Sequence, residues 1–247
     1  MIRARDVSFA YPGAEQVLKQ ASLEAVDGGL CLLAGPNGSG KSTLLCLLAG
    51  LFRPASGAVE LDGAPADEAA LRRTARLVTQ DADLQILGGT VEEDLLLGRD
   101  ADDAGVVEAA RDAAARFGLL DAWETPVQTL SWGQKRKLCL AAVLIEEPKV
   151  LLLDEPFSGL DHPAVLEMRR LLAAHRDRGL TQVLALHDLE PALDLAQRVV
   201  VLHRGETVLS GAPEDVLGDV ERFGVRRPCS WRLGLGIAPY ADGDDAA

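Results

Sequence analysis

The segment Leu30-Cys-Leu-Leu-Ala34 is an unbroken apolar run that passes directly into Gly35, Pro36, Asn37, Gly38, Ser39, Gly40, Lys41 and Ser42. Five apolar residues without polar alternation suit a strand buried on both faces, which means a mostly parallel sheet covered by helices. Ser42 to Ala49 carries a helical pattern closed by Gly50, so the order is strand, glycine turn, helix. The turn fits the pattern GxxxxGKS in the context that pattern requires. Glycines at 35, 38 and 40 let the backbone curl until successive N–H groups point into one concavity, and the helix start adds positive potential. In such a loop Lys41 reaches the β and γ phosphates of a nucleoside triphosphate and the Ser42 hydroxyl ligates Mg²⁺, with Thr43 beside it. Taken alone, the segment also reads as a plain glycine turn.

Val150-Leu-Leu-Leu153 is a second unbroken apolar run, and it ends in Asp154 and Glu155. Carboxylates just past the carboxyl end of a buried strand stand where α/β sheets bind their ligands. Asp154 would hold the Mg²⁺ shell, and Glu155 would orient or deprotonate an attacking water. Two acids after an apolar run are otherwise a solvated strand end. The phosphate loop in the same chain tips the reading toward metal and water chemistry.

The rest of the chain falls into three regions. Up to about Gln80, strands are expected at Arg3 to Phe9, Val17 to Val26 and Leu30 to Ala34, with one helix. From Asp81 to Leu130 the pattern turns to short helices, Val91 to Leu97 and Gly105 to Phe117, which reads as a helical insert. Beyond Ser131 alternation returns: a helix over 132–146, strand Val150 to Leu153, helix Ala164 to Arg178, then strands Gln182 to Leu186, Arg198 to Leu202 and Thr207 to Ser210. The tail from about Gly234 is expected to fray.

At 247 residues there is room for one large α/β domain or one domain with an inserted lobe. The aromatic fraction is 4%, so the interior must be built from Leu, Val and Ala. The longest apolar run, Leu138 to Ile145, falls far short of the roughly 20 residues that cross a bilayer, and the first ten residues lack the features of a secretory signal. A cytoplasmic protein is expected. A net charge of −13 opposes general nucleic-acid binding, which needs a basic surface. Cys31, Cys46, Cys139 and Cys229 form no CxxC pair, and the first three read as small buried residues. The histidines at 162, 175, 187 and 203 are dispersed, with His162 and His175 read as exposed residues on or near a helix.

Leu130-Ser-Trp-Gly-Gln134 is the segment that narrows the class. With it the chain resembles the ATP-binding cassette (ABC) ATPases, whose signature LSGGQ stands shortly before the acidic strand. The resemblance spans about residues 1 to 215. It implies a phosphate-loop NTPase fold of the ABC nucleotide-binding type: a mostly parallel core sheet, an N-terminal antiparallel β subdomain and a helical insert. The ATPase domain is expected over 1–218, with the insert at about 81–146 and a short C-terminal extension over 219–247.

The resemblance also implies roles for single residues. Tyr11 looks like the aromatic that stacks on adenine, and Gln80 like the glutamine that senses Mg²⁺ and the membrane partner. Ser158-Gly-Leu-Asp161 is similar to the loop that crosses the dimer interface, and His187 to the switch histidine on the γ phosphate. Singly, Tyr11 reads as a turn residue, Gln80 as a solvated strand end and His187 as a helix entry. Together they are better explained by one site that binds ATP and Mg²⁺, with Glu155, His187 and Lys41 as its reactive groups.

In this family the signature of one subunit, here Ser131, Gly133 and Gln134, faces the phosphate loop of the other across a head-to-tail dimer. A homodimer or a heterodimer with a paralogous ATPase is implied. Trp132 departs from the usual glycine. Ser131-x-x-Gln134 has the form of a capping box, which makes Trp132 the first helical residue with ordinary negative φ, so the backbone is expected to survive the change.

The stretch from Gln80 to Gln85 and on through Thr90-Val-Glu-Glu-Asp94, together with Phe223-Gly-Val-Arg-Arg-Pro228, is similar to the energy-coupling factor importers of vitamins, cobalt or nickel. Asp81-Ala82 departs from the usual Asn-Pro. That likeness implies a peripheral subunit on the cytoplasmic membrane face, working with an integral membrane T component and a substrate-binding S component, with no nucleic acid. The competing class is a soluble ABC ATPase that remodels DNA, ribosomes or protein complexes. Such proteins generally carry a second cassette, a coiled coil or zinc modules, and this chain has none of these.

Overall fold

Ten strands and eight α-helical segments are described in a computed structural model, which covers residues 1–240. Strands β1 (Ile2–Ala10), β2 (Gln16–Ala25) and β3 (Leu30–Ala34) lead to helix α1 (Lys41–Leu48). Then come β4 (Ser56–Leu61), β5 (Ala64–Pro65), α2 (Glu68–Thr74) and β6 (Ala75–Val78), followed by α3 (Val91–Leu95), α4 (Ala104–Arg116) and α5 (Trp132–Leu144). The chain continues through β7 (Val150–Asp154), α6 (His162–Asp177), β8 (Thr181–Leu186), β9 (Arg198–His203), β10 (Glu206–Gly211), α7 (Pro213–Val216) and α8 (Cys229–Arg232).

One compact unit comprises Met1–Leu77 together with the chain from Lys149 onward. It contains a six-stranded sheet in the order β10-β9-β3-β8-β7-β6. β3 pairs in parallel with both β8 and β9, and β7 in parallel with β8, while β10 runs antiparallel to β9. Every residue of β3, β7 and β8 is buried, as strands covered on both faces must be. Leu44, Leu45, Leu47 and Leu48 of α1 are fully buried in the same core as Leu33, Leu152 and Val183, each contributing about 2 kcal/mol by removal from water. The second sheet, β2-β1-β4-β5, is antiparallel. It is stitched to the first where Thr207 Oγ1 donates to Ser22 O at 2.8 Å and accepts from Ser22 N at 3.0 Å. The α/β class with an antiparallel sheet beside a mostly parallel one is the architecture expected from the sequence.

The other unit is Val78–Pro148, where the sequence bounds a helical insert at about 81–146. Its core is Val91, Leu95, Ala110, Ala114, Leu119 and Leu138, all nearly inaccessible. The acidic run 92–94 has a structural use here. Thr90 caps α3 by accepting from Glu93 N, Glu93 Oε2 accepts from Gly89 N at 2.8 Å, and Asp94 Oδ1 accepts from Leu87 N and Gly88 N at 2.8 and 2.9 Å. A Cβ at Gly88 would lie 2.3 Å from Asp94 N, so this turn can close only around glycine.

Several expectations need correction. β4, β5, α2 and β6 add a helix and three strands to a first region read as three strands and one helix. α3 stops at Leu95 rather than Leu97. Cys46 is half-buried rather than buried, whereas Cys31 and Cys139 are fully enclosed, and burial pushes both of their thiols up to about 12. His175 is half-buried, and His162 is exposed. Among the described residues no helix is long and apolar enough to cross a membrane. Of the tail expected to fray from about Gly234, residues 241–247 lie outside the described residues, whereas in the described part Leu235 N donates to Ser230 O and Tyr240 N to Asp194 Oδ2.

Candidate active site

The phosphate loop sits between β3 and α1. Gly35 N donates to Leu186 O and Gly205 N donates to Ser39 O, which anchors the loop to the ends of neighbouring strands. A Cβ at Gly35 would stand 2.3 Å from Leu202 O, and Gly40 holds φ +105 with Leu18 Cδ2 2.8 Å from where its Cβ would be. Glycine is therefore required by contact at 35 and by backbone conformation at 40. Gly40 is also the N-cap of α1 and supplies no side-chain acceptor to the helix start. Ser39 Oγ is buried without a hydrogen-bond partner among the described residues. An uncapped helix start beside an unsatisfied buried hydroxyl is a cradle suited to an anion.

Lys41 is buried and donates from Nζ to Gly35 O at 2.8 Å and to Pro36 O at 3.3 Å. Burial lowers its pKa, against the opposing pull of Glu155 and Asp154. Its ammonium stands 3.7 Å from Glu155 Oε1. The other carboxylate oxygen, Oε2, is 2.8 Å from His187 Nδ1. Glu155 thus bridges a buried cation and a histidine that is 56% exposed.

The register of the sheet explains the meeting. Asp154 lies opposite Ala185 across β7 and β8, so Glu155 and His187 leave the same carboxyl edge one and two residues later. Glu155 holds φ +48, a left-handed conformation that costs a non-glycine residue about 1 kcal/mol or more. Its backbone N donates to Ala185 O at 3.0 Å, which helps fix the turn.

Ser42 is exposed and Asp154 is buried at the strand end. Both carry hard oxygen donors of the kind Mg²⁺ takes. Among the described residues no group of three or more His, Cys, Asp or Glu side chains could by itself hold a metal ion. Tyr11 brings its hydroxyl to 3.1 Å from Thr43 Oγ1 and sets its ring edge-on to Phe9 and Phe52. Asp161 is spent locally: Oδ1 accepts from Ala164 N as the N-cap of α6.

The helical unit carries the signature. Ser131 Oγ accepts from Gln134 N at 3.2 Å and Gln134 Oε1 accepts from Ser131 N at 2.9 Å, a complete capping box. Trp132 opens α5 without positive φ, as the S-x-x-Q spacing predicts, and is 39% exposed. At Gly133 a Cβ would meet nothing within 4 Å.

Arg136 is the residue that sequence reasoning passed over. It is 2% exposed, its guanidinium lies 5.8 Å from the Trp132 ring centroid, and Nη2 donates to Gln80 O at 2.9 Å. Lys135 Nζ pairs with Asp83 at 2.5 Å. The signature helix and the chain around Gln80 are therefore clipped together within this unit. The available signal was the spacing of Arg136 four residues after Trp132, one helical turn on.

Known proteins resemble this chain over most of its length. Residues 18–158 match the family described as ABC transporter. The cobalt import ATP-binding protein CbiO of Rhodobacter capsulatus is 37% identical over an alignment spanning 96% of this chain and 89% of that one. The energy-coupling factor transporter ATP-binding protein EcfA of Methanocaldococcus jannaschii is 33% identical, spanning 90% and 82%. Among solved structures, CbiO1 of Clostridium perfringens, part of the ABC transporter complex CbiONQ, superposes with a TM-score of 0.77 at 30% identity, covering 90% of this chain and 92% of that one.

Proposed function

The chain belongs to the ABC transporter family as one of its ATPases, and on that premise we propose that it is the ATP-hydrolysing subunit of an importer of the energy-coupling factor type. It works at the cytoplasmic membrane face with an integral membrane T component and a substrate-binding S component that takes cobalt, nickel or a vitamin. Support for the transport reading comes from relatives named as cobalt import and energy-coupling factor subunits. Those names, with the strong negative charge, favour it over a soluble remodelling ATPase.

The observation that carries the chemistry is the Glu155 carboxylate, set between Lys41 and His187. Lys41 exchanges the carbonyls of Gly35 and Pro36 for phosphate oxygens, so the cation is already aimed when ATP arrives. The loop backbone from Gly35 to Ser39, with the start of α1, surrounds the phosphates, and Tyr11 offers its ring to the adenine. Ser42 and Asp154 would hold Mg²⁺, which would supply charge neutralisation at the phosphates; the family resemblance gives Gln80 a role toward the same ion. Glu155 accepts a proton from the attacking water as the new O–P bond forms and the bond to the β-phosphate oxygen breaks. His187 orients that carboxylate and contacts the γ phosphate.

Ser131, Gly133 and Gln134 of a second subunit close the site, with Asp161 at the interface. Two ATP molecules thus join two subunits, and their hydrolysis lets the subunits part. The second subunit is another copy or a paralogue.

Glu155→Gln tests both parts. The full-length variant is expected to bind ATP and form a stable dimer, measured by light scattering and nucleotide content, while hydrolysis falls at least about a hundredfold. Unimpaired turnover would remove Glu155 from its role. A variant that stays monomeric at saturating ATP, with every paralogue supplied, would end the dimer reading.

A further inference from the structure

The C-terminal segment after Phe223 makes no part of the chemistry above, yet it is fastened to the rim of the reactive site at successive points. At Gly224 the backbone passes beside the phosphate loop: a Cβ there would lie 3.7 Å from Pro36 Cγ. Arg226 then forms a parallel bridge with Asp188, the residue after His187. Two residues beyond Asp188, Glu190 Oε2 accepts from Cys229 N at 2.8 Å.

Farther along, Asp194 Oδ2 accepts from Tyr240 N at 3.2 Å. Asp194 is itself fixed by a two-pronged pair with Arg169, at 2.8 and 2.7 Å. The same guanidinium donates to Pro191 O at 2.7 Å and stands 4.9 Å from the Tyr240 ring centroid. Burial alone would raise the Asp194 carboxyl, but Arg169 and the Tyr240 N–H together bring it below the usual carboxylate range.

These ties converge on one turn. Residues 188–194 follow His187 directly, and His187 is more than half exposed, held among the described residues by the hydrogen bond between its Nδ1 and Glu155 Oε2. A ring so lightly held owes its position to the backbone that carries it, and that backbone is bound to residues 226–240.

We propose that residues 224–240 are a positioning strap for His187. Glu190 is the chief positioning residue: by holding the Cys229 N–H it fixes the turn that sets the imidazole against Glu155. Asp194, locked by Arg169, anchors the far end of the strap. Glu190 and Asp194 touch neither nucleotide nor water and act through His187. The inference rests on the role given to His187 above, and it adds a point at which whatever engages the C-terminal segment can change turnover without entering the ATP site.

The test compares full-length variants in steady-state ATP hydrolysis and in ATP affinity. Glu190 is only half-buried, so substitution there leaves the core intact. Glu190→Ala is expected to lower kcat about tenfold, since small misplacement of a reacting group has effects of that order or more, with ATP affinity within about twofold. Glu190→Gln keeps an oxygen acceptor for Cys229 N and is expected to restore the rate. In a His187→Ala background, Glu190→Ala is expected to cause no further loss, because a residue that acts through the imidazole has nothing left to position.

A wild-type rate in Glu190→Ala, or the same fractional loss in both backgrounds, would overturn the strap while leaving the role of His187 intact. A wild-type rate in His187→Ala would instead overturn that role, and the strap with it.

Discussion

Helices α1 and α5 begin in opposite ways. At α1 the N-cap is Gly40, in the left-handed region and with no side chain to offer, and the first helical residue is a buried lysine. At α5 the N-cap is Ser131, whose hydroxyl oxygen accepts from Gln134 N while Gln134 returns the bond to Ser131 N. A helix start normally needs such a cap, worth about 1 kcal/mol. α1 forgoes it and gains an unclaimed set of donors. α5 keeps it, yet the Ser131 hydroxyl, used as an acceptor, still has its proton to donate. On the proposed reading, one end is completed by an anion, and the other, complete in itself, lends a single donor.

Three substitutions probe this contrast. The largest effect is expected at the bare end, where Lys41→Ala should weaken ATP binding about a hundredfold, or about 3 kcal/mol, on loss of a charge-assisted contact. Isothermal titration with an ATP analogue measures it, and unchanged affinity would count against the loop assignment. Next is Ser131→Ala, expected to lower unfolding stability by about 1 kcal/mol through loss of the cap and to slow hydrolysis about tenfold through loss of the donor. Denaturant melts and turnover read these separately. A rate loss with no stability loss would mean that the capping bond seen here carries no weight.

The smallest effect is expected for Trp132→Gly. The exchange removes the ring over Arg136, worth about 0.5 to 1 kcal/mol at an exposed site, and should leave ATP binding and dimerisation within about twofold. Complete loss of hydrolysis in this variant would show that the indole, and not only the helix start behind it, serves the site.

Much of the fold was legible because its central strands are buried on both faces. β3, β7 and β8 appear in sequence as unbroken or nearly unbroken apolar runs, and strand, glycine turn and helix follow each other where the loop pattern demands. The stretch from β4 to β6 was not legible, for a physical reason. α2 buries only Leu71 of its seven residues, so it has no apolar period to read. β4 opens with Ser and Gly, and β5 is two residues long and ends in proline.

At the site, residue types could be named in advance, but their meeting could not. Glu155 and His187 are 32 positions apart and come together only through the parallel register of β7 with β8. Arg136 stands between Lys135 and Lys137 in the sequence, and its burial against Gln80 O depends on contacts invisible in a linear pattern. The ties from Glu190 and Asp194 to the C-terminal segment are longer-range still, 39 and 46 residues.

The left-handed backbone at Glu155 has a consequence for anyone who would engineer this chain. Glycine, or asparagine to a lesser degree, sits in that conformation more comfortably than glutamate. Selection in the laboratory for heat tolerance alone would therefore push against the carboxylate on which the proposed turnover depends. Hardier descendants of such a screen would be prone to inertness unless each round also demanded work from the enzyme.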